Sequence, residues 1–397
     1  MKRIYWRPHK TSKAAVLAVG MTAIAAVLLV EQGPAFTLTG DAQQEQMLRA
    51  SRLAKTSFDV IRGERLALGH EFPKRLDPGQ TGMVGLAMSP LTSLPANLAA
   101  KQTSVNPNFA AAIVDMLAPL ELKPGDCVAV GCTGSFPALN VCLCAALETI
   151  GCEPIVVHSV ASSQFGANHP EMTWLDMESL LHEEKLITFR TSAATLGAFG
   201  DRAVGMSAES KQALRAAIER NGVESLEINS LAQSMKSRMQ LYDSIAGERP
   251  IKAYINVGGG AASIHGDQGK EIYDAGATLS AGELIEGEAV DCVMTRFAAR
   301  GVPIVHVGDT IKLATQYGLP VAPQMAVEVN PDLRPRAEPN RYAAGAVLMV
   351  VLLALRACVR TGGYERVKRR VRAWLSRGSR PANVPETALT PAVQLMV

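Results

Sequence analysis

The chain has 397 residues, with 40 Lys and Arg against 37 Asp and Glu, and carries a net charge of +3 at pH 7. Its apolar fraction of 48% is enough to build a core, which excludes a largely disordered chain. The basic residues crowd near the two ends and the region between them is acidic, which argues against nucleic-acid binding.

The first predicted element is an uncharged apolar run over residues 14–30, which follows a basic segment over residues 1–13. A membrane-spanning helix needs roughly 17–25 mostly apolar residues, and Lys and Arg beside a span stay in the cytoplasm. The run therefore predicts a transmembrane anchor with a cytoplasmic N-terminus. A cleaved signal peptide is the alternative, although residues 30–33 offer no small-x-small cleavage site.

A second apolar run covers residues 343–359 and is followed by a basic tail over residues 360–397. It predicts a second transmembrane helix with a cytoplasmic tail that attracts anionic membrane lipids. A buried core helix is the alternative. The intervening residues 31–342 hold 26 Lys and Arg against 35 Asp and Glu, a net charge of −9. This asymmetry predicts that the large central region faces outward.

Residues 31–106 are predicted to form a membrane-proximal helix and a connector. Apolar residues recur near helical spacing over residues 41–63, which indicates an amphipathic helix. Residues 73–107 are rich in Gly, Pro, Ser and Thr, a composition typical of loops.

Residues 107–342 are predicted to form an α/β extracytoplasmic domain. An apolar strand at 127–130, a tight loop at 131–135, a helix at 137–150 and a strand at 154–158 make a βαβ unit. Such a unit predicts a parallel, Rossmann-like sheet covered by helices. The pattern continues downstream, with predicted strands at 185–189, 251–257 and 303–307 and predicted helices at 207–220 and 288–300.

Six of the seven cysteines fall in this domain: Cys127, Cys132, Cys142, Cys144, Cys152 and Cys292. An exported domain could pair them in disulfides. They lie among apolar residues of predicted strands and helices, however, which favours free buried thiols, and their spacing matches no C-x-x-C site.

Ligands of open α/β sheets bind outside the carboxyl ends of the strands, and the first candidate segment there is residues 131–137. It brings Thr133, Gly134 and Ser135 to the start of a helix whose first N–H groups can bind an anion. It matches neither G-x-G-x-x-G nor a Walker loop, so no nucleotide or other cofactor is predicted. The alternative is a tight turn in which Ser135 caps the helix.

The second segment follows the strand at 154–158 and combines small polar groups with aromatic rings. Its predicted ligand-binding residues are Ser162, Ser163, Gln164, Asn168, Trp174 and Asp176. The alternative is a helix start at which Thr173 and Asp176 form a capping box.

The third segment follows the strand at 251–257, and its glycines permit close backbone approach and a nest of N–H groups for an anion. Its predicted ligand-binding residues are Asn256, Gly258, Gly259, Gly260 and Ser263. The alternative is close packing of the glycines against a neighbouring helix.

A nucleophilic enzyme is the competing function class. Its catalytic candidates are Ser135, Ser163 and His158, with the N–H groups of Gly258–Gly260 as an oxyanion site. No G-x-S-x-G elbow is present, and His158 equally fits a buried core histidine. No metal site is predicted, because neither H-E-x-x-H nor another short ligand pair occurs.

Residues 131–140, 162–178 and 256–263 resemble the poly-gamma-glutamate system protein family, and the likeness runs from the first apolar run to about Pro323. The resemblance implies a part in making bacterial poly-γ-glutamate at the inner (cytoplasmic) membrane. It implies as partners the membrane subunits of the synthase or export machinery, and the polymer itself, and it carries over no catalytic roles. A membrane-anchored accessory protein is therefore expected, and the alternative is an anchored hydrolase or transferase acting on γ-glutamyl amide bonds.

Overall fold

The computed structural model describes residues 41–278, 290–330 and 333, with short helical stretches among residues 20–24 and 348–356. The chain divides into a compact unit over residues 38–336 and a second unit formed by residues 1–37 and 337–397. The sheet and the helices around it all belong to the larger unit.

The expectation of an α/β domain flanked by two transmembrane helices is wrong in its membrane part. Within the described ranges, no helix combines the length and the apolar character needed to cross a bilayer. The longest described helix, Asp41–Ala67, has 27 residues but carries charged side chains throughout, whereas a span needs about 20 mostly apolar residues in succession. The runs at 14–30 and 343–359 lie mostly, and the tails at 1–13 and 360–397 wholly, outside the described residues.

Within the described range from residue 41 onward, three α-helices precede the sheet: α1 Asp41–Ala67, α2 Leu98–Ser104 and α3 Phe109–Leu117. Helix α1 buries one stripe at helical spacing, formed by Met47, Ala50, Ala54, Phe58 and Ile61. This stripe joins the larger core cluster, which also contains almost all of α3. The segment predicted as a membrane-proximal element therefore packs as part of the α/β unit.

A seven-stranded sheet forms the centre of the unit. Its strands are β1 Cys127–Thr133, β2 Glu153–Ser159, β5 Thr191–Thr195, β6 Glu224–Ser225, β7 Ile251–Val257, β8 Gly276–Thr278 and β9 Ile304–Val307. Their order is β6-β5-β2-β1-β7-β9-β8, and every pair is parallel except β8 with β9. Strands β3 Asn168–His169 and β4 Met172–Thr173 form a separate antiparallel hairpin.

Helices cover both faces of the sheet. The remaining ones are α4 Pro137–Ile150, α5 Trp174–Glu183, α6 Ala208–Arg220, α7 Leu231–Ala246, α8 Ala261–Ile264, α9 Asp267–Ile272, α10 Val293–Ala299 and α11 Thr310–Gln316. Successive residues of β1 alternate between the two core clusters, with Val128 and Val130 in one and Cys127 and Ala129 in the other. This alternation is the period of two that a strand imposes on its side chains.

One predicted strand is misplaced. Residues 185–189 form no strand, and β5 begins at Thr191 instead. Buried Ile187 produced the apolar pattern, but Lys185 and Leu186 donate backbone hydrogen bonds to His182 and Leu181 and so close the end of α5.

The order of the strands fixes a topological switch point. From β1 the chain first adds β2 on one side, and it later returns to the other side with β7, so that Gly131 of β1 pairs with Asn256 of β7. In doubly wound sheets the crevice outside the carboxyl ends of two such strands is where ligands bind.

Candidate functional site

Two glycine-containing loops meet at this switch point. A Cβ atom added to Gly258 would lie 3.2 Å from Thr133 Oγ1, and one added to Gly260 would lie 3.2 Å from both Thr133 Cγ2 and Ser263 Oγ. Gly258 also has a φ of +80°, which an L side chain rarely adopts. The loop after β7 thus lies directly against the loop after β1. We call the region formed by Thr133, Ser135, Gly258, Gly260 and Ser263 the switch-point crevice.

The loop after β1 is shaped by its own side chains. Thr133 Oγ1 accepts a hydrogen bond from the Ser135 N–H at 3.2 Å, and Asn140 Nδ2 donates to the Thr133 carbonyl at 2.9 Å. Helix α4 starts after Phe136, and no side chain in the described part of the chain caps it. The alternative in which Ser135 caps the helix is therefore wrong, because Ser135 Oγ accepts from the Ser163 N–H at 3.1 Å instead. Because the first helical residue, Pro137, has no N–H, this turn can offer an anion only the N–H groups of Ala138 and Leu139.

A lysine that was not predicted as a site residue joins the two neighbouring loops. Lys101 of α2 is only 3% exposed, and its Nζ donates to Ser163 Oγ at 2.9 Å and to the Ser135 carbonyl. The same ammonium group lies 3.8 Å from the centre of the Phe136 ring. Lysine is almost never fully buried unless it is paired, and here a hydroxyl, a carbonyl and an aromatic ring hold the Lys101 ammonium beside the crevice. The sequence signal for it was a single lysine in a short helix that carries no other charge.

Three predicted residues of the second segment hold that loop in place. Ser162 Oγ donates to the Gly134 carbonyl at 2.9 Å, and Gln164 Oε1 accepts from the Ala96 N–H at 3.2 Å. Asn168 is fully buried and bonds both backbone groups of Leu86, at 2.8 and 2.7 Å. These atoms are thus engaged within the protein, and of this segment Ser163 is the residue that contacts Lys101.

The other two residues of the segment belong to the start of α5. The predicted capping box is confirmed, since the Thr173 N–H and hydroxyl each lie 2.7 Å from Asp176 Oδ2. Burial raises the pKa of Asp176, but hydrogen bonds from Arg220, Thr173 and Asn221 outweigh it and hold that pKa below its ordinary value. Trp174 is 1% exposed and lies in the core.

His158 is placed as a core residue. It is fully buried, and its Nδ1 lies 3.2 Å from Cys132 Sγ. Burial, helped by the charge of Arg238, lowers the pKa of His158 to about 3, so the ring stays neutral. The two candidate nucleophiles, Ser135 and Ser163, contact each other and Lys101 instead. Cys132 and the other five cysteines of the domain are free and buried.

The floor of the crevice carries an unsatisfied polar atom. Asn256 Nδ2 donates to the Gly258 carbonyl at 2.7 Å and lies 3.0 Å from His306 Nδ1, but the buried Asn256 Oδ1 has no partner among the described residues. The Gly258 N–H donates to the Val307 carbonyl, so the N–H groups of Gly259 and Gly260 are the ones left in this loop to form an anion nest. Burial lowers the pKa of His306 to about 4, which makes it a neutral partner of Asn256.

Two described cavities lie elsewhere on the unit. One of about 420 Å³ is lined by Lys55, Arg62 and Lys74, and one of about 370 Å³ is lined by Leu94 and Phe199. Neither contains a predicted site residue. The crevice is the stronger candidate because several hydrogen-bonding groups converge there at a switch point.

Comparisons of the chain with protein-family models, with curated proteins and with solved structures found no match. Hydroxyl groups, backbone N–H groups and a nearby ammonium are hydrogen-bond donors, and such a set suits a carboxylate or another anion.

Proposed function

We propose that this protein is an accessory component of a bacterial poly-γ-glutamate system and that its switch-point crevice binds a γ-glutamyl carboxylate. The main observation behind this proposal is that the Gly258–Gly260 loop contacts Thr133 beside the uncapped start of α4. The resemblance of residues 131–140, 162–178 and 256–263 to the family supplies the class of polymer.

The donors around the crevice match the groups of a γ-linked glutamate residue. Each residue of that polymer offers a free α-carboxylate and an amide. The first turn of α4 and the hydroxyls of Thr133, Ser135 and Ser263 suit the carboxylate. The unpaired Asn256 Oδ1 suits the amide N–H, because a buried acceptor gains most from a new hydrogen bond.

Charge limits the mode of binding. Residues 31–342 carry a net charge of −9, so the domain repels a long polyanion at a distance. Recognition then depends on short-range hydrogen bonds to one or a few glutamate residues. Affinity is expected to change little when the oligomer is lengthened, because added residues bring repulsion as well as contacts.

Calorimetric titration of the purified full chain with γ-linked hexaglutamate tests this proposal, with α-linked hexaglutamate as the matched control ligand. Ser135→Ala and Ser263→Ala should each weaken binding by about 5- to 10-fold, the loss expected for one hydrogen bond of about 1 kcal/mol. Ser179→Ala, on the part-exposed face of α5, should leave affinity unchanged. Equal affinity for both hexamers, or binding unaffected by the two crevice substitutions, contradicts the proposal.

The accessory role makes a separate prediction in the cell. Deleting the gene should lower the yield or change the length of surface poly-γ-glutamate, and supplying Ser263→Ala should restore it less well than the wild type. Normal yield and length in the deletion strain would refute the role. The expected partners are the membrane subunits of the synthase or export machinery.

A hydrolase or transferase acting on γ-glutamyl amide bonds is the second candidate, favoured by the 2.9 Å contact of Lys101 Nζ with Ser163 Oγ. Paired serine and lysine side chains act as nucleophile and base in some hydrolases, provided the amine is deprotonated. Release of short γ-glutamyl products by the wild type but not by Ser163→Ala would support it. Polymer left intact, with and without an acceptor amine, would reject it.

A further inference from the structure

A group of metal-ligating side chains lies outside the crevice. His70 follows the end of α1, whereas His169 and Glu171 belong to the β3–β4 hairpin. One ligand atom from each of the three lies within 4.8 Å of those of the other two. The His70 Nε2 to Glu171 Oε2 distance is 3.7 Å.

Both imidazoles carry a nitrogen whose hydrogen bonding is incomplete. His70 Nε2 and His169 Nδ1 are buried and have no hydrogen-bond partner among the residues that the structure describes. The two rings stack with centroids 3.6 Å apart and planes inclined by 30°. A buried polar atom without a partner costs free energy, and a bound ion would give these two nitrogens a partner.

We propose that His70, His169 and Glu171 bind a divalent transition-metal ion such as Zn²⁺. Two imidazoles and a carboxylate form a three-ligand set that leaves a fourth position for water, with metal–ligand distances of roughly 2.0–2.2 Å. Imidazole-rich sites suit zinc, copper and nickel rather than magnesium or calcium. Glu171 has a side chain 69% exposed, so the ion can enter from solvent.

The surroundings determine how the site has to rearrange. Imidazole lone pairs lie in the ring plane, so the stacked rings must open slightly to point at one ion. Arg65 Nε donates to His70 Nδ1 at 3.3 Å, and binding at Nε2 requires the tautomer protonated at Nδ1. The guanidinium then gives up this long bond while it keeps its bonds to the carbonyls of Gly82 and Val84.

Metal binding would link two elements of the fold. Bound metal would tie the end of α1 to the hairpin that precedes α5, and it would stabilise the folded state by mass action.

The test uses the purified full chain without a histidine tag, stripped of metal with a chelator. Titration with ZnCl₂ is followed by calorimetry, and titration with CoCl₂ by visible absorption, which reports the coordination of cobalt. We expect one Zn²⁺ per chain, with affinity reduced about tenfold or more in His169→Ala and in Glu171→Gln because each lacks a direct ligand.

His182→Ala and Glu184→Gln are matched controls, because both residues are exposed at the end of α5, and they should bind Zn²⁺ as the wild type does. Glu171→Gln protects the test against unfolding, since this side chain is largely exposed. No Zn²⁺ binding by the wild type, or equal affinity in Glu171→Gln and in Glu184→Gln, would overturn the proposal. A thermal midpoint raised by Zn²⁺ in the wild type but not in Glu171→Gln would support it.

Discussion

Arg238 Nη2 lies 2.7 Å from Asp201 Oδ2, and both side chains are fully buried where β2 and β5 end. The carboxylate also accepts hydrogen bonds from Ser159, Thr195 and Ser234. A buried ion pair is tolerated when further hydrogen bonds satisfy both charges, as they do here. The pair anchors the 3-10 turn Phe199–Asp201, in which Asp201 has a φ of +59°.

Removing one partner of the Arg238–Asp201 ion pair should strongly destabilise the folded state. Arg238→Met leaves the Asp201 carboxylate buried without its counter-ion, so the free energy of unfolding should fall by about 3–5 kcal/mol. Asp243→Asn breaks the exposed pair with Arg300 and should cost less than about 1 kcal/mol. Urea unfolding followed by circular dichroism measures both. The double variant Arg238→Met/Asp201→Ala should be less unstable than the sum of the single changes, and strict additivity would contradict this view of the pair.

Gly131 is required by the close approach of β7. A Cβ atom there would lie 2.3 Å from the Tyr254 hydroxyl and 2.8 Å from Ser263 Oγ. Gly131→Ala should therefore destabilise the fold by about 1–3 kcal/mol through overpacking. Gly63→Ala is the control: that position lies within α1 with open space around it and should gain about 0.5–1 kcal/mol. The thermal unfolding midpoints of the two variants should shift in opposite directions. An unchanged midpoint in Gly131→Ala would contradict the close packing described here.

We expect Asn168 to stabilise the fold rather than to bind a ligand. Asn168→Ala leaves the Leu86 N–H and carbonyl without their partners and should cost about 2–3 kcal/mol, whereas affinity for a crevice ligand changes little in the folded fraction. Asn97→Ala removes only the exposed cap of α2 and should cost about 1 kcal/mol. Chemical denaturation measures the unfolding free energy of both variants. Equal losses of stability would argue against the structural role assigned to Asn168.

Glu178 should give the fold a pH dependence. Its carboxylate is buried and accepts from the N–H and the hydroxyl of Thr191, both at 2.8 Å. Burial, which outweighs these hydrogen bonds, raises the pKa of Glu178 from 4.5 to about 7. Because the folded state binds this proton more tightly than the unfolded state, the stability that the group contributes is present below pH 4.5. It is lost as the pH rises toward 7.

Glu178→Gln removes this titration. The variant should lack the corresponding fall in unfolding free energy and should exceed the wild type above pH 7 by on the order of 1–3 kcal/mol. Glu183→Gln, at an exposed position of α5, should leave the wild-type slope unchanged. Denaturation midpoints measured from pH 4.5 to pH 8 decide the matter, and parallel curves for the wild type and Glu178→Gln would refute the burial argument.

The local sequence pattern was sufficient to predict part of the fold. The order of strand, glycine loop, helix and strand over residues 127–159 predicted β1, α4 and β2, because periodicity and turn residues act between near neighbours. The capping box of Thr173 with Asp176 was also predictable, since a cap bonds to a residue three positions away. Strand β5 was missed because the end of α5 mimicked a strand in composition.

The sequence by itself determined the α/β pattern and which strand ends carry polar residues. Only the tertiary structure decided which of those residues meet, because their contacts join segments far apart in the chain. It brought Lys101 onto Ser135 and Ser163, and it removed Asn168 from the crevice by pairing it with Leu86. No local rule links such positions: their side chains come together through the packing of whole elements, which has no period along the sequence.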